Sequence, residues 1–295
     1  MSRRRLASLG GDVLVYGFLV LLFVVTFLPF WQIIVLSVND GNDSLKGGIM
    51  LWPRKPTVES YGTVFRNPEI LSSMKVTILR TALGVPLSVL CMGMLAYPLS
   101  KRDLLARRPI NLFFIFTLYF SGGLVPQYMI IKSVGLIDRF GVFVFPSLIV
   151  VFWMILIRTY MQDLPHELEE SARMDGANDV QIFVRVVLPM CRPVLATVTL
   201  FAAIYHWNAW YDSYVFTYKP ALRTLQAVLV KILNQYQTRD MLAQAYLAEE
   251  TRRVPVTSET IRMTVTVFAS VPIILVYPFL QKYLLRGMML GAIKG

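Results

Sequence analysis

The strongest constraint on this chain is a set of apolar runs, each long enough to cross a bilayer. A helix rises 1.5 Å per residue, so roughly 20 residues cross about 30 Å of hydrocarbon. Six stretches qualify, at 13–38, 72–98, 110–131, 140–160, 193–216 and 261–283. Of 295 residues, 56% are hydrophobic and 16% are charged; a soluble domain carries about 25% charged residues. Too little charge remains to wet a soluble surface, and too much apolar side chain for a disordered chain. Pro29, Pro86, Pro126, Pro146 and Pro272 fall inside these runs or at their ends. Neighbouring helices re-satisfy the backbone groups that proline frees, so the runs still read as helices. The expected fold class is all-α: a polytopic membrane protein with six transmembrane helices in a single domain over 1–295.

The net charge of +11 forms no stripe, because the basic residues sit between apolar runs. Nucleic acid is therefore not an expected partner, whereas anionic membrane lipid is. Cys91 and Cys191 have no metal-ligand spacing, and no metal site is expected. The basic start, Arg3 to Arg5, followed by an apolar run, has the outline of a signal peptide. The run at 13–38 is too long for one and ends without a small-x-small cleavage site, so a retained first span is expected. Basic residues divide almost evenly between the two sides of a six-span chain. Their density at Arg3 to Arg5 and at Lys101, Arg102, Arg107 and Arg108 puts both termini in the cytoplasm.

Three loops follow from this topology. Residues 39–71 face outside and are rich in Gly, Pro, Asn and Asp, as an irregular cap would be. Residues 217–260 also face outside, with amphipathic stretches at 224–237 and 239–252. Leu225, Val228, Leu229 and Ile232 fall at helical spacing there. A lid on the membrane surface and a dock for an extracytoplasmic partner both fit. Residues 161–192 face inside. Pro165 suits a first helical turn, and Glu167, Glu169 and Glu170 lie at its positive end. Gly176 suits a left-handed stop, and Asn178 with Gln181 has the spacing of a capping box. A second helix is expected to run to about Val187, before Leu188-Pro189.

The residue pattern of this inner loop closely resembles the "EAA" motif of permease subunits of binding-protein-dependent ABC importers. Glu170, Ala172, Asp175, Gly176, Ala177, Phe183, Val186, Leu188, Pro189 and Pro193 match it at its spacing, with Ser171 in place of the middle alanine. Residues 122–126, 207–212 and 281–295 extend the resemblance to the carbohydrate branch, of the maltose-importer type. The long 217–260 loop is most like the subgroup handling larger, often uronate-containing oligosaccharides.

The resemblance implies a type I ABC importer permease in a bacterial inner membrane. It implies a coupling helix that docks in a cleft of a separate ATPase through Glu167, Glu170, Ser171, Ala172, Asp175, Gly176, Ala177, Phe183, Leu188 and Pro189. The implied partners are two ATPase subunits holding ATP and Mg, a second permease subunit of different sequence, an extracytoplasmic solute-binding protein and a carbohydrate. No cofactor is expected on this chain, which has no G-x-x-x-x-G-K-[ST] phosphate loop. Alternating access would follow from ATP-driven movement of the docked helices.

Substrate contacts are expected from Trp207, Asn208, Trp210, Tyr211 and Asp212. Aromatic faces beside amide and carboxylate groups suit sugars, although an interfacial aromatic belt has the same composition. Asn208 and Asp212 read as a buried pair one helical turn apart. Gly122 and Gly123 are expected to interrupt the third span, either lining a cavity or serving as a hinge. Lys75 and Arg80 read as snorkelling cations, and Arg158 and Arg262 as span-end anchors. A secondary transporter or channel is the alternative from span count alone; a permease for amino acids or oxyanions is the alternative within the family. The only histidines are His166 and His206, and no hydrolase motif accompanies them, so an enzyme is not expected.

Overall fold

A computed structural model describes residues 3–49, 51–232, 234 and 257–292. Among the described residues the secondary structure is helical, with one isolated antiparallel bridge between Asn39 and Pro56. The helices are α1 (Arg3–Ser37), α2 (Gly41–Ser44), α3 (Glu59–Arg66), α4 (Pro68–Ser100), α5 (Arg107–Tyr119), α6 (Leu124–Ser133) and α7 (Val151–Gln162). They continue as α8 (Glu167–Met174), α9 (Asp179–Ile182), α10 (Leu188–Met190), α11 (Arg192–Asn208), α12 (Tyr211–Phe216) and α13 (Ser258–Ala292).

Among the described residues, two helices are long and apolar enough to cross a membrane unbroken, Asp12–Ser37 and Pro68–Ser100. Three pairs reach that length only together. Arg107–Tyr119 and Leu124–Ser133 meet at 117°, Phe140–Ser147 and Val151–Gln162 at 44°, and Asp179–Met190 and Arg192–Asn208 at 80°. The break over 120–123 falls where the glycines predict an interruption; Gly123 has φ +81°, which a Cβ would penalise. The expected straight helix over 193–216 is not formed. It stops at Asn208 and resumes at Tyr211.

The chain forms two compact units, Met1–Pro68 with Leu229–Val271, and Glu69–Val228 with Pro272–Gly295. In the first, the side chains of α1 are exposed from Asp12 to Phe30. Its last turn packs Val35 and Leu36 with Ile49, against Trp31 and Met263. The 39–71 cap is irregular but organised. Buried Asn39 donates to Asp43 Oδ2 (3.2 Å) and Ser44 Oγ (3.0 Å), and accepts from the Lys55 amide (2.9 Å).

The second unit has its main core where α4, α7, α9 and α11 meet, around Met92, Tyr97, Met154, Ile157, Ile182 and Phe183. The stretch over 225–232 is helical, and Leu225 and Val228 are buried. Residues 233 and 235–237 of the first amphipathic stretch, and all of 239–252, lie outside the described residues.

Asp138 holds the chain after α12. It sits in the left-handed region (φ 55°), and its Oδ1 accepts from the amides of Tyr218 (2.6 Å) and Lys219 (3.0 Å). These bonds, Tyr218's first, hold its carboxyl below the usual range. A depressed folded pKa stabilises above the unfolded value and is lost as pH falls through the folded one. The protection of the Tyr218 and Lys219 amides, their exchange relative to the intrinsic rate at each pH, is therefore expected to be flat from neutral pH down to about 4, the ordinary carboxylate range, and to fall below it. Loss of protection already near pH 6 would refute this role.

Candidate functional site

Two places concentrate chemistry in the second unit. The first is the turn from α8 to α10. Three glutamates at its start and Arg173 in its last turn complement the dipole of α8. The helix ends at Gly176 (φ +82°), where the Gly176 amide bonds Arg173 O and the Ala177 amide bonds Ala172 O, each at 3.0 Å. This pair of bonds is a Schellman stop. The capping box then forms. Asn178 Oδ1 accepts from the Gln181 amide (2.9 Å) and Gln181 Oε1 from the Asn178 amide (3.0 Å).

The second helix does not end at Val187 as expected. It continues as a π turn over Phe183–Val187, closed by the Leu188 amide on Phe183 O, and runs through α10 to Met190. Pro189 disturbs the regular ladder here, because its ring crowds the carbonyl four residues back and it has no N–H to give it.

The motif residues divide by direction. Ala172, Ala177 and Leu188 pack on the core, and Phe183 is part of it. The Phe183 ring lies 5.1 Å from that of Tyr97. Glu167, Glu170, Ser171, Asp175 and Gly176 are exposed, and Pro189 is half-buried. The inward residues hold the turn; the outward ones leave a carboxylate surface for a partner. Glu169, expected from sequence only as a dipole partner, turns inward and pairs with Lys101 just beyond α4.

The second place is the break between α11 and α12. Arg80, read from sequence as snorkelling, is fully buried. Its Nη1 and Nη2 donate to Asp212 Oδ1 (2.9 Å) and Oδ2 (2.5 Å), and its Nε to His206 Nδ1 (3.3 Å). The guanidinium also lies 5.2 Å from the centre of the Phe143 ring. A planar fork on a carboxylate is the favourable way to keep such a charge away from water. The signal was visible as a cation well inside an apolar run, which by default faces a partner. A Cβ on Gly84 would stand 2.5 Å from His206 Cε1, so only glycine lets α4 approach α11 here.

Asn208 and Asp212 are not the buried helical pair expected. The helix breaks between them, Asn208 is exposed and Asp212 is part-buried. Both still line one cavity of about 430 Å³, with Gln127, Tyr205, Trp210 and Tyr211. Trp207, Gly122 and Gly123 do not line it. Among the described residues, the only carboxylate on this wall is that of Asp212, which Arg80 neutralises. Arg158 bonds Asn111 Oδ1 on α5, so it joins two helices rather than anchoring a span end.

The family described as "binding-protein-dependent transport system inner membrane component" matches residues 65–290. The chain belongs to this family. It is a multi-pass membrane permease subunit with the type I importer fold, and a transport component rather than an enzyme. The polygalacturonan/rhamnogalacturonan transport system permease protein YtcP of Bacillus subtilis (strain 168) is 34% identical over 286 residues, covering 96% of this chain and 98% of the relative. Protein LplC of the same organism is 36% identical over 275 residues, covering 92% and 90%. A solved bacterial ABC transporter involved in import of the acidic polysaccharide alginate superposes with TM-score 0.83 at 30% identity, over 96% of this chain and 98% of that one. The permease matches thus run almost end to end.

Proposed function

We propose that this chain is one of two permease subunits in an ATP-driven importer of acidic oligosaccharides. The observation that carries the reading is the two-sided turn from α8 to α10. Inward residues fix it to the core, and Glu167 and Glu170 stand exposed on a helix too short to persist alone. That arrangement suits a rigid peg seated in a separate ATPase. Two such ATPases would hold ATP and Mg; this chain would supply the spans and the peg. Both termini and α8 lie in the cytoplasm, and the 39–71 and 217–260 loops face a solute-binding protein outside. The pathway runs along the cavity beside the α11–α12 break, where Trp210 and Tyr211 offer ring faces and Asn208 and Gln127 offer amides to a sugar. The second permease is a different chain.

The substrate class rests on relatives whose names specify polygalacturonan, rhamnogalacturonan and alginate transport. Neutralisation of Asp212 by Arg80 supports it, since a bare carboxylate on the wall would repel a polyanion. The test is ATP hydrolysis by the complete importer with its binding protein loaded with oligogalacturonate or with a neutral maltooligosaccharide. Stimulation by the acidic cargo is expected. Stimulation by the neutral one alone would overturn the substrate class.

A further inference from the structure

Helix α8 contains no buried residue, so what attaches it to the rest of the unit decides what its movement can drive. Among the described residues, one ion pair links it to a long helix, from Glu169 to Lys101 immediately beyond α4. Both side chains are largely shielded, at 14% and 17% exposure, and the Lys101 ammonium lies 4.4 Å from the centre of the Tyr97 ring on α4. A lysine held by a carboxylate on one side and an aromatic face on the other has little freedom to swing away. The Tyr97 ring in turn contacts Phe183 in the π turn.

The same α4 carries Arg80, whose fork holds Asp212 at the start of α12. Thr77, one turn earlier, accepts the Leu225 amide at 2.8 Å. From Arg80 to the end of α4 is 20 residues of continuous helix, or about 30 Å. One helix therefore carries a charged latch to α8 at its end and a charged latch to the cavity wall near its middle.

We infer that Lys101 is a positioning residue for energy coupling: acting through Glu169, it ties α8 to α4, and α4 carries the displacement to the Arg80–Asp212 pair at the cavity. This inference rests on the reading of α8 as the docking helix. Ala172 also packs α8 against the core around Met92 and Phe183, but an apolar contact is non-directional. A directional charge pair fixes its register.

The test uses the complete importer in vesicles of phosphatidylethanolamine and phosphatidylglycerol, with oligogalacturonate as cargo. The quantity measured is ATP hydrolysed per oligosaccharide delivered. Lys101→Met and Glu169→Gln are expected to raise it about two- to fivefold, the scale of one partly exposed charge pair. Lys101→Arg keeps the charge and the wild-type ratio. The exchanged pair, Lys101→Glu with Glu169→Lys, returns it towards wild type. Glu169→Gln is isosteric, so it reports coupling even if Lys101→Met fails to assemble. An unchanged ratio in Glu169→Gln overturns the inference. If Glu170→Ala leaves stimulated hydrolysis at the wild-type level, the docking role of α8 falls with it. If Glu170→Ala abolishes stimulated hydrolysis and Glu169→Gln leaves the ratio unchanged, only the latch falls.

Discussion

Glu170→Ala abolishes substrate-stimulated ATP hydrolysis by the assembled importer while the permease inserts and folds as before. Glu170 is exposed, and a surface substitution of that kind changes stability by no more than about 0.5 kcal/mol. At an interface the same carboxylate is worth more, because removing one partner of a buried charge pair costs about 2–5 kcal/mol. The expected pattern is a normal yield of folded permease with loss of ATPase co-purification. Gly176→Leu reaches the same end by geometry. Its φ of +82° costs a side-chain-bearing residue about 1–2 kcal/mol, and the Schellman stop that sets the angle between α8 and α9 is lost. Normal stimulated hydrolysis in both variants would remove α8 from the coupling path.

Arg80→Met destabilises the permease itself. It strands Asp212 opposite a buried apolar side chain and leaves His206 Nδ1 without its donor. Breaking a buried pair costs about 3–5 kcal/mol, whereas replacing both members by apolar groups is often neutral. Thermal unfolding of the purified permease should therefore show a large loss for Arg80→Met, a comparable loss for Asp212→Leu, and a smaller loss for the double variant than for either single one. Losses that simply add would mean that the pair does not act as a unit. Gly84→Ala should weaken the same junction by another route, since the added methyl meets the His206 ring.

The α8 glutamates show how far residue pattern reaches. Three acidic residues opening a short helix are readable as dipole partners, and the capping box and glycine stop are local rules that the structure obeys. Which of Glu169 and Glu170 turns inward depends on where α4 ends. Lys101 is 68 residues away in sequence from Glu169, and no periodicity in α8 names it. The π turn is a mixed case. Pro189 announces a disturbance, but whether the helix stops or bulges depends on the packing of Phe183 and Val187 in the core.

The cavity wall was partly legible. Aromatic and amide residues at 207–212 marked the region, and Asn208, Trp210, Tyr211 and Asp212 do share one cavity. Trp207 was included on composition, as an aromatic of the same stretch, and the break at 209–210 decides which of these side chains face together. Arg80 was misassigned because a long cation in an apolar run has two outcomes, snorkelling or pairing, and only the position of Asp212 chooses between them.

By itself, the sequence determined a helical membrane protein, because apolar run length and backbone satisfaction in lipid leave few other folds. It also determined the shape of the α8–α9 turn, since glycine, asparagine and glutamine act there through bonds within a few residues. The tertiary structure alone decided the charge pairs. Arg80 with Asp212 and Lys101 with Glu169 each join distant helices, and the energy of such a pair depends on separation and burial, which sequence spacing does not encode.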